Sequence, residues 1–221
     1  MERQRITAWL LAVIVGMSVP ASPVFGRDGY DNKKVTHHVG LDARGSWLVP
    51  THQFFRGENK LGKPLDKAAS AHLQYSFSFP ESSVFGQIYP PAYQGVGVAW
   101  NTFFDQEEMG SPAAVYVFQG AQIAKIGRKV SLDYEWNFGV SAGWHPYREN
   151  LDGSGKENVA NQVVGSRVNA YINVGLMISW RPTPALTING GIDLSHFSNG
   201  NTVYPNGGVN LLGARIGAAY S

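Results

Sequence analysis

From position 129 to position 144 the chain alternates without a break. Val130, Leu132, Tyr134, Trp136, Phe138, Val140, Ala142 and Trp144 fall on even numbers; Lys129, Ser131, Asp133, Glu135, Asn137, Gly139, Ser141 and Gly143 fall on odd ones. Successive side chains of an extended strand point to opposite faces, so this run makes one apolar, aromatic wall backed by a polar or small one.

The pattern recurs. Within 167–181, Val168, Ala170, Ile172, Val174, Leu176, Ile178 and Trp180 oppose Arg167, Asn169, Asn173, Ser179 and Arg181. Within 208–221, Leu212, Ala214, Ile216, Ala218 and Tyr220 oppose Gly213, Arg215, Gly217 and Ser221. Leu73, Tyr75, Phe77 and Phe79 oppose His72, Gln74, Ser76 and Ser78. Weaker versions occupy 35–43, 94–104 and 185–198, and 113–126 is assigned as a strand mainly by spacing. Glycine (26 residues) and aromatics (12%) against only 15% charged residues fit a chain of strands and turns.

A soluble sandwich or lipocalin-like barrel would turn the apolar walls inward. Two features favour the inverse. Trp and Tyr gather near the strand ends of the apolar walls, as in membrane-interface girdles. The opposite walls carry Asp133, Glu135, Arg167, Asp193 and Arg215, which can pair inside a narrow lumen. A Lys or Arg facing lipid at the bilayer midplane would cost about 2–4 kcal/mol. The expected fold is therefore all-β, an eight-stranded antiparallel transmembrane β-barrel.

The N-terminus agrees with export. Arg3 and Arg5 precede a nearly unbroken apolar run, Ile6 to Val19, and small or turn-forming residues follow. This reads as a secretory signal peptide over 1–26, cleaved near 21–26, with the barrel in 27–221 and the outer membrane of a Gram-negative bacterium as its destination. Connections at Gly127-Arg128 and Pro182-Thr183-Pro184 are short, whereas 45–69, 145–166 and 199–209 are long. Short turns belong on the periplasmic side and long loops outside. Two connections fit this poorly: 80–93 is long for a periplasmic turn and 105–112 short for an outer loop. A barrel of this size is filled by its own side chains, which argues against a diffusion pore.

Cysteine is absent, so no disulfide framework is available. The formal net charge is +2 without a basic block, which gives no footing for nucleic acid. No cofactor or metal is expected. His37 and His38 fall on opposite faces, and Asp152-Gly153-Ser154-Gly155 lacks the remaining ligands of a calcium loop. His145 and Tyr147 open the long loop and are placed to touch headgroups.

One polar group interrupts an outward wall. Leu186, Ile188, Gly190, Ile192 and Leu194 are followed on the same parity by His196 and Ser198. Two residues along a strand separate Cα atoms by roughly 6–7 Å, so an imidazole and a hydroxyl there can come into hydrogen-bonding range. A serine beside a general base is a candidate nucleophile. Asn210 shares parity with Leu212 and Ile216 across the final hairpin, where its amide oxygen can hold the imidazole tautomer. Read as structure alone, Ser198-Asn199-Gly200 is a strand end entering a turn, and a histidine there anchors the barrel at the interface.

His196-Phe197-Ser198-Asn199-Gly200, followed by Pro205-Asn206-Gly207-Gly208 and a final apolar strand, resembles the lipid A 3-O-deacylase family, particularly its acyloxyacyl hydrolase-like branch. The likeness extends upstream through Pro50-Thr51-His52, Ala92-Tyr93-Gln94-Gly95-Val96-Gly97 and Tyr134-Glu135-Trp136-Asn137-Phe138-Gly139. It implies an outer-membrane barrel that hydrolyses an ester-linked acyl chain of lipid A without a metal. By position it implies Ser198 as nucleophile, His196 as base, and Asn199 with Gly200 as oxyanion or substrate contacts. Partners would be lipopolysaccharide and outer-membrane lipids, with a homodimer left open. Family members known for this activity place a glutamate where this chain has Asn210, which can orient His196 but cannot offset an imidazolium charge. The competing expectations are a structural or adhesive barrel acting through outer loops, for example at Arg148 or Glu149, and a lipid acyltransferase barrel.

Overall fold

A computed structural model describes residues 35–80, 82–88, 92–149 and 157–221. The expected signal peptide and the Asp152–Gly155 turn lie outside them. Eight antiparallel strands close into one barrel in chain order. They are β1 (Thr36–Leu48), β2 (Lys67–Ser78), β3 (Ala92–Thr102), β4 (Gly110–Lys125), β5 (Val130–Trp144), β6 (Val168–Trp180), β7 (Leu186–Ser198) and β8 (Val209–Tyr220). β8 closes the ring on β1, with Val39 opposite Tyr220 and Leu48 opposite Leu211. Closure leaves no unpaired strand edge, which is what a sheet in hydrocarbon needs.

The parity reading sets the walls correctly. Leu41, Val96, Val140, Val174, Leu194 and Ile216 are exposed on the outside, while Asp42, His72, Glu135, Asn173, Asp193 and Arg215 are buried inside. Two arginines and three carboxylates interlock there. Arg44 Nε lies 2.8 Å from Asp42 and its Nη1 3.1 Å from Asp193. Arg215 reaches Glu135 at 2.8 Å and Asp42 at 3.2 Å. Aromatic rings fill much of the remaining lumen: Tyr116 meets Tyr171 edge-on at 5.5 Å, and Tyr171 stacks on Phe197 at 5.0 Å.

Two expectations are corrected, and a third is explained. Trp144 does not continue the outward wall of β5. Gly143 adopts φ +99 and breaks the alternation, turning Trp144 inward to 1% exposure, where its Nε1–H donates to Ser141 Oγ at 2.9 Å. Arg167 precedes β6 rather than facing the lumen, and pairs with Glu149 in the loop. The weak alternation of 113–126 has a packing cause: β4 is a full strand whose luminal face carries Tyr116 and Phe118, so both of its faces look apolar.

At the outer end the loops fold inward as a lid. Phe54, Phe55, Phe103, Met109, Trp144, Val163 and Phe197 form one buried cluster. The Asn158 amide donates to the carbonyls of Glu108 (3.0 Å) and His145 (3.1 Å), and Asn161 donates to the same two at 2.8 and 3.0 Å. Buried loop backbone needs such partners. His145 Nδ1 bonds the Glu107 carbonyl at 2.8 Å, tying it into this lid. Burial raises the Glu108 carboxyl above its usual range.

Candidate active site

β7 carries the outward row Ile192, Leu194, His196, Ser198, which turns polar at its end while β6 beside it stays apolar through Ile172, Ala170 and Val168. In the ladder, His196 sits between Ile172 of β6 and Asn210 of β8, and Ser198 lies opposite Ala170. His196, Ser198 and Asn210 are all half-buried, whereas the next outward residues, Leu194 and Leu212, are exposed. The three therefore share the outer wall near the outer rim.

The strongest contact is His196 Nδ1–H donating to Asn210 Oδ1 at 2.7 Å. An amide oxygen only accepts, so Nδ1 bears the proton and a neutral ring keeps its lone pair on Nε2. That is the tautomer a general base requires. Asn210 is itself fixed, because its backbone carbonyl accepts from Val49 N–H at 2.9 Å where β8 meets the end of β1. The Ser198 hydroxyl enters no hydrogen bond among the described residues, which leaves it free to rotate toward the ring two residues away.

Gly208 supports the imidazole from the other side. It adopts φ +72, and a Cβ built there would stand 3.0 Å from His196 Cε1. Any larger residue must both strain the backbone and push the ring. Gly208→Ala is expected to cost more than about 1 kcal/mol of stability, because alanine tolerates positive φ poorly. Chemical denaturation of the refolded barrel would measure it.

The turn after Ser198 is tightly organised. Asn199 N–H donates to Asn206 Oδ1 at 3.0 Å, Asn199 Nδ2 donates to the Val203 carbonyl at 2.7 Å, and Thr202 Oγ1 donates to the Asn199 carbonyl at 2.8 Å. Both donors of Asn199 are thus engaged within the turn. Gly200 has φ +65, open space around it, and an N–H without a hydrogen bond among the described residues. A narrow crevice with no room for a water molecule adjoins Ser198, with Trp144, Val163, Asn206 and Gly208 among its lining.

Sequence reasoning missed Asn206 and Gly208 as supports, although both stand in a visible turn motif. It also missed a second serine and histidine at the same spacing. Ser70 Oγ lies 2.9 Å from His72 Nε2, and His72 Nδ1 lies 2.9 Å from the Tyr116 hydroxyl. That pair faces the filled lumen, with His72 buried, so no lipid reaches it. Their even numbers on β2, where Leu73 and Tyr75 face out, were the available signal.

The model of the lipid A 3-O-deacylase (PagL) family matches residues 117–219, which contain β5 to β8 and every residue of the candidate site. The matched segment, just under half of the chain, includes the hairpin that pairs His196 with Asn210. No curated protein sequence matches the chain. Among solved structures, Neisserial surface protein A superposes with a TM-score of 0.55 at 12% identity, covering 85% of this chain and 99% of that one. That likeness is one of fold. The outer-membrane enzyme PagL is similar with a TM-score of 0.48 at 15% identity, covering 80% of this chain and 97% of that one.

Proposed function

We propose that this barrel is an outer-membrane esterase that removes an ester-linked acyl chain from lipid A. The observation carrying the reading is the His196–Asn210 hydrogen bond on the lipid-facing wall beside an unengaged Ser198, inside the deacylase-family segment.

In this mechanism Ser198 Oγ attacks the ester carbonyl while His196 Nε2 takes its proton. The imidazolium then protonates the departing alkoxide, and water repeats the sequence on the acyl-enzyme. The Gly200 N–H is the free donor for the developing oxyanion, and Asn199 holds the turn that presents it. The crevice beside Ser198 has no room for a fatty chain, so the chain lies along the outer wall over Ile172, Val140 and Leu194. Lateral approach from the leaflet explains why the site breaks a lipid-facing wall instead of opening into the lumen.

Asn210→Ala should lower the rate about 10–100-fold through loss of ring orientation. Asn210→Glu should raise it several-fold, because a charge-assisted bond to the imidazolium is about twice as strong as a neutral one. Mass spectrometry of lipid A from expressing cells, with release of free fatty acid timed on purified protein, tests both. An unchanged acylation pattern with folded protein in the membrane would overturn the reading.

A further inference from the structure

The connection between β2 and β3, too long for a periplasmic turn, contains a short helix, α1 (Val84–Ile88). Its orientation is fixed. Ser83 N–H and Oγ both donate to the Pro80 carbonyl, at 2.9 and 2.7 Å, and Ser83 Oγ accepts from Gly86 N–H at 2.9 Å. Gly86 is the buried position, packed so closely on Pro80 that a Cβ would lie 2.1 Å from its carbonyl oxygen. With that side pinned, Val84 is 76% and Ile88 61% exposed.

This apolar surface continues the lipid-facing wall. Phe77 is the last outward residue of β2; its ring meets Phe79 at 5.7 Å, and Phe79 meets Phe85 at 4.9 Å. The wall itself ends in a lower girdle row, where Val39 stands between Tyr75 and Tyr220. The upper row holds Trp47 opposite Leu212. Strand rise and tilt put the two rows about 20 Å apart, close to the height of a barrel's apolar band. Phe79 and α1 lie beyond the lower row, at headgroup depth. The neighbouring β4–β5 turn adds Lys125 and Arg128, exposed and without an ion pair among the described residues.

We propose that α1 is an interfacial anchor seated in the periplasmic leaflet, with Val84, Phe85 and Ile88 among phospholipid chains and the basic turn beside it meeting anionic headgroups. An aromatic ladder running unbroken from the lipid wall onto the helix identifies phospholipid as the occupant, and an exposed apolar cluster at that depth matches how interfacial segments bind. The assignment is independent of the esterase reading.

The chain has no cysteine, so single labels are clean. Val84→Cys and Ile88→Cys, each carrying a bimane, would be refolded into phosphatidylethanolamine–phosphatidylglycerol vesicles with and without brominated acyl chains. Val96→Cys on the wall and Glu58→Cys in an outer loop serve as lipid and aqueous references, and heat-modifiable gel mobility verifies folding. Quenching by brominated lipid at 84 and 88 should exceed that at 58 by at least about twofold and approach that at 96. Quenching at the level of 58 with full access to iodide overturns the proposal. So does protection from iodide that arises only when soluble periplasmic protein is added.

Discussion

Ser198→Ala is expected to leave lipid A fully acylated in cells that otherwise lose a chain, with the purified variant slowed by about 10⁴-fold or more. The magnitude follows from removing the nucleophile itself, since no other hydroxyl shares the outward row with His196. Ser70→Ala is the matched control. It deletes a serine at the same two-residue spacing from a histidine, and one that bonds its ring at 2.9 Å, but on the luminal side. Deacylation should survive Ser70→Ala and vanish with Ser198→Ala. The opposite result, read by mass spectrometry of lipid A, would move the chemistry into the lumen and defeat the outer-wall mechanism. If both variants retain activity, neither pair is the nucleophile.

Arg215→Met should produce the largest loss of stability. Arg215 is 4% exposed and bridges Glu135 and Asp42 from the centre of the lumen. Without it, Asp42, Glu135 and Asp193 face Arg44 alone. Breaking a buried pair by deleting one partner costs about 3–5 kcal/mol, because the remaining charge keeps its desolvation penalty. Replacing both ends is milder. The double variant Arg215→Met, Glu135→Met should therefore be more stable than Arg215→Met by itself, a coupling that loss of packing volume would not produce. Urea unfolding of the vesicle-embedded barrel, followed by tryptophan fluorescence, compares the three. A double variant as unstable as the sum of its singles would show that packing outweighs charge in this lumen.

Much of this barrel was legible in the alternation, because lipid outside and polar groups inside impose a period of two on every strand. The reading grew faint or failed where that contrast was locally absent. β4 lines the lumen with Tyr116 and Phe118, so its two faces look alike from sequence. Trp144 follows a glycine at φ +99, and nothing in the alternation announces that a backbone will turn over there. Arg167 fits the parity of β6 but stands one residue before it. For the site, parity alone put His196, Ser198 and Asn210 on one wall, and the amide–imidazole bond followed from their places across the hairpin. The engagement of Asn199 with Asn206 and Val203, and the glycine behind the ring, depend on how a turn folds back on itself. Spacing along the chain does not encode that.

The seam between β8 and β1 bears on timing. His196 gains Asn210 only when the last strand docks, and Asn210 is held by Val49, which lies beyond the end of the first strand. A chain shorn of its last dozen residues still carries the serine and the histidine but has nothing to set the ring, and an unclosed one lacks the clamp on Asn210. The proposed esterase therefore has the partner of its base fully fixed only when the barrel has become a circle.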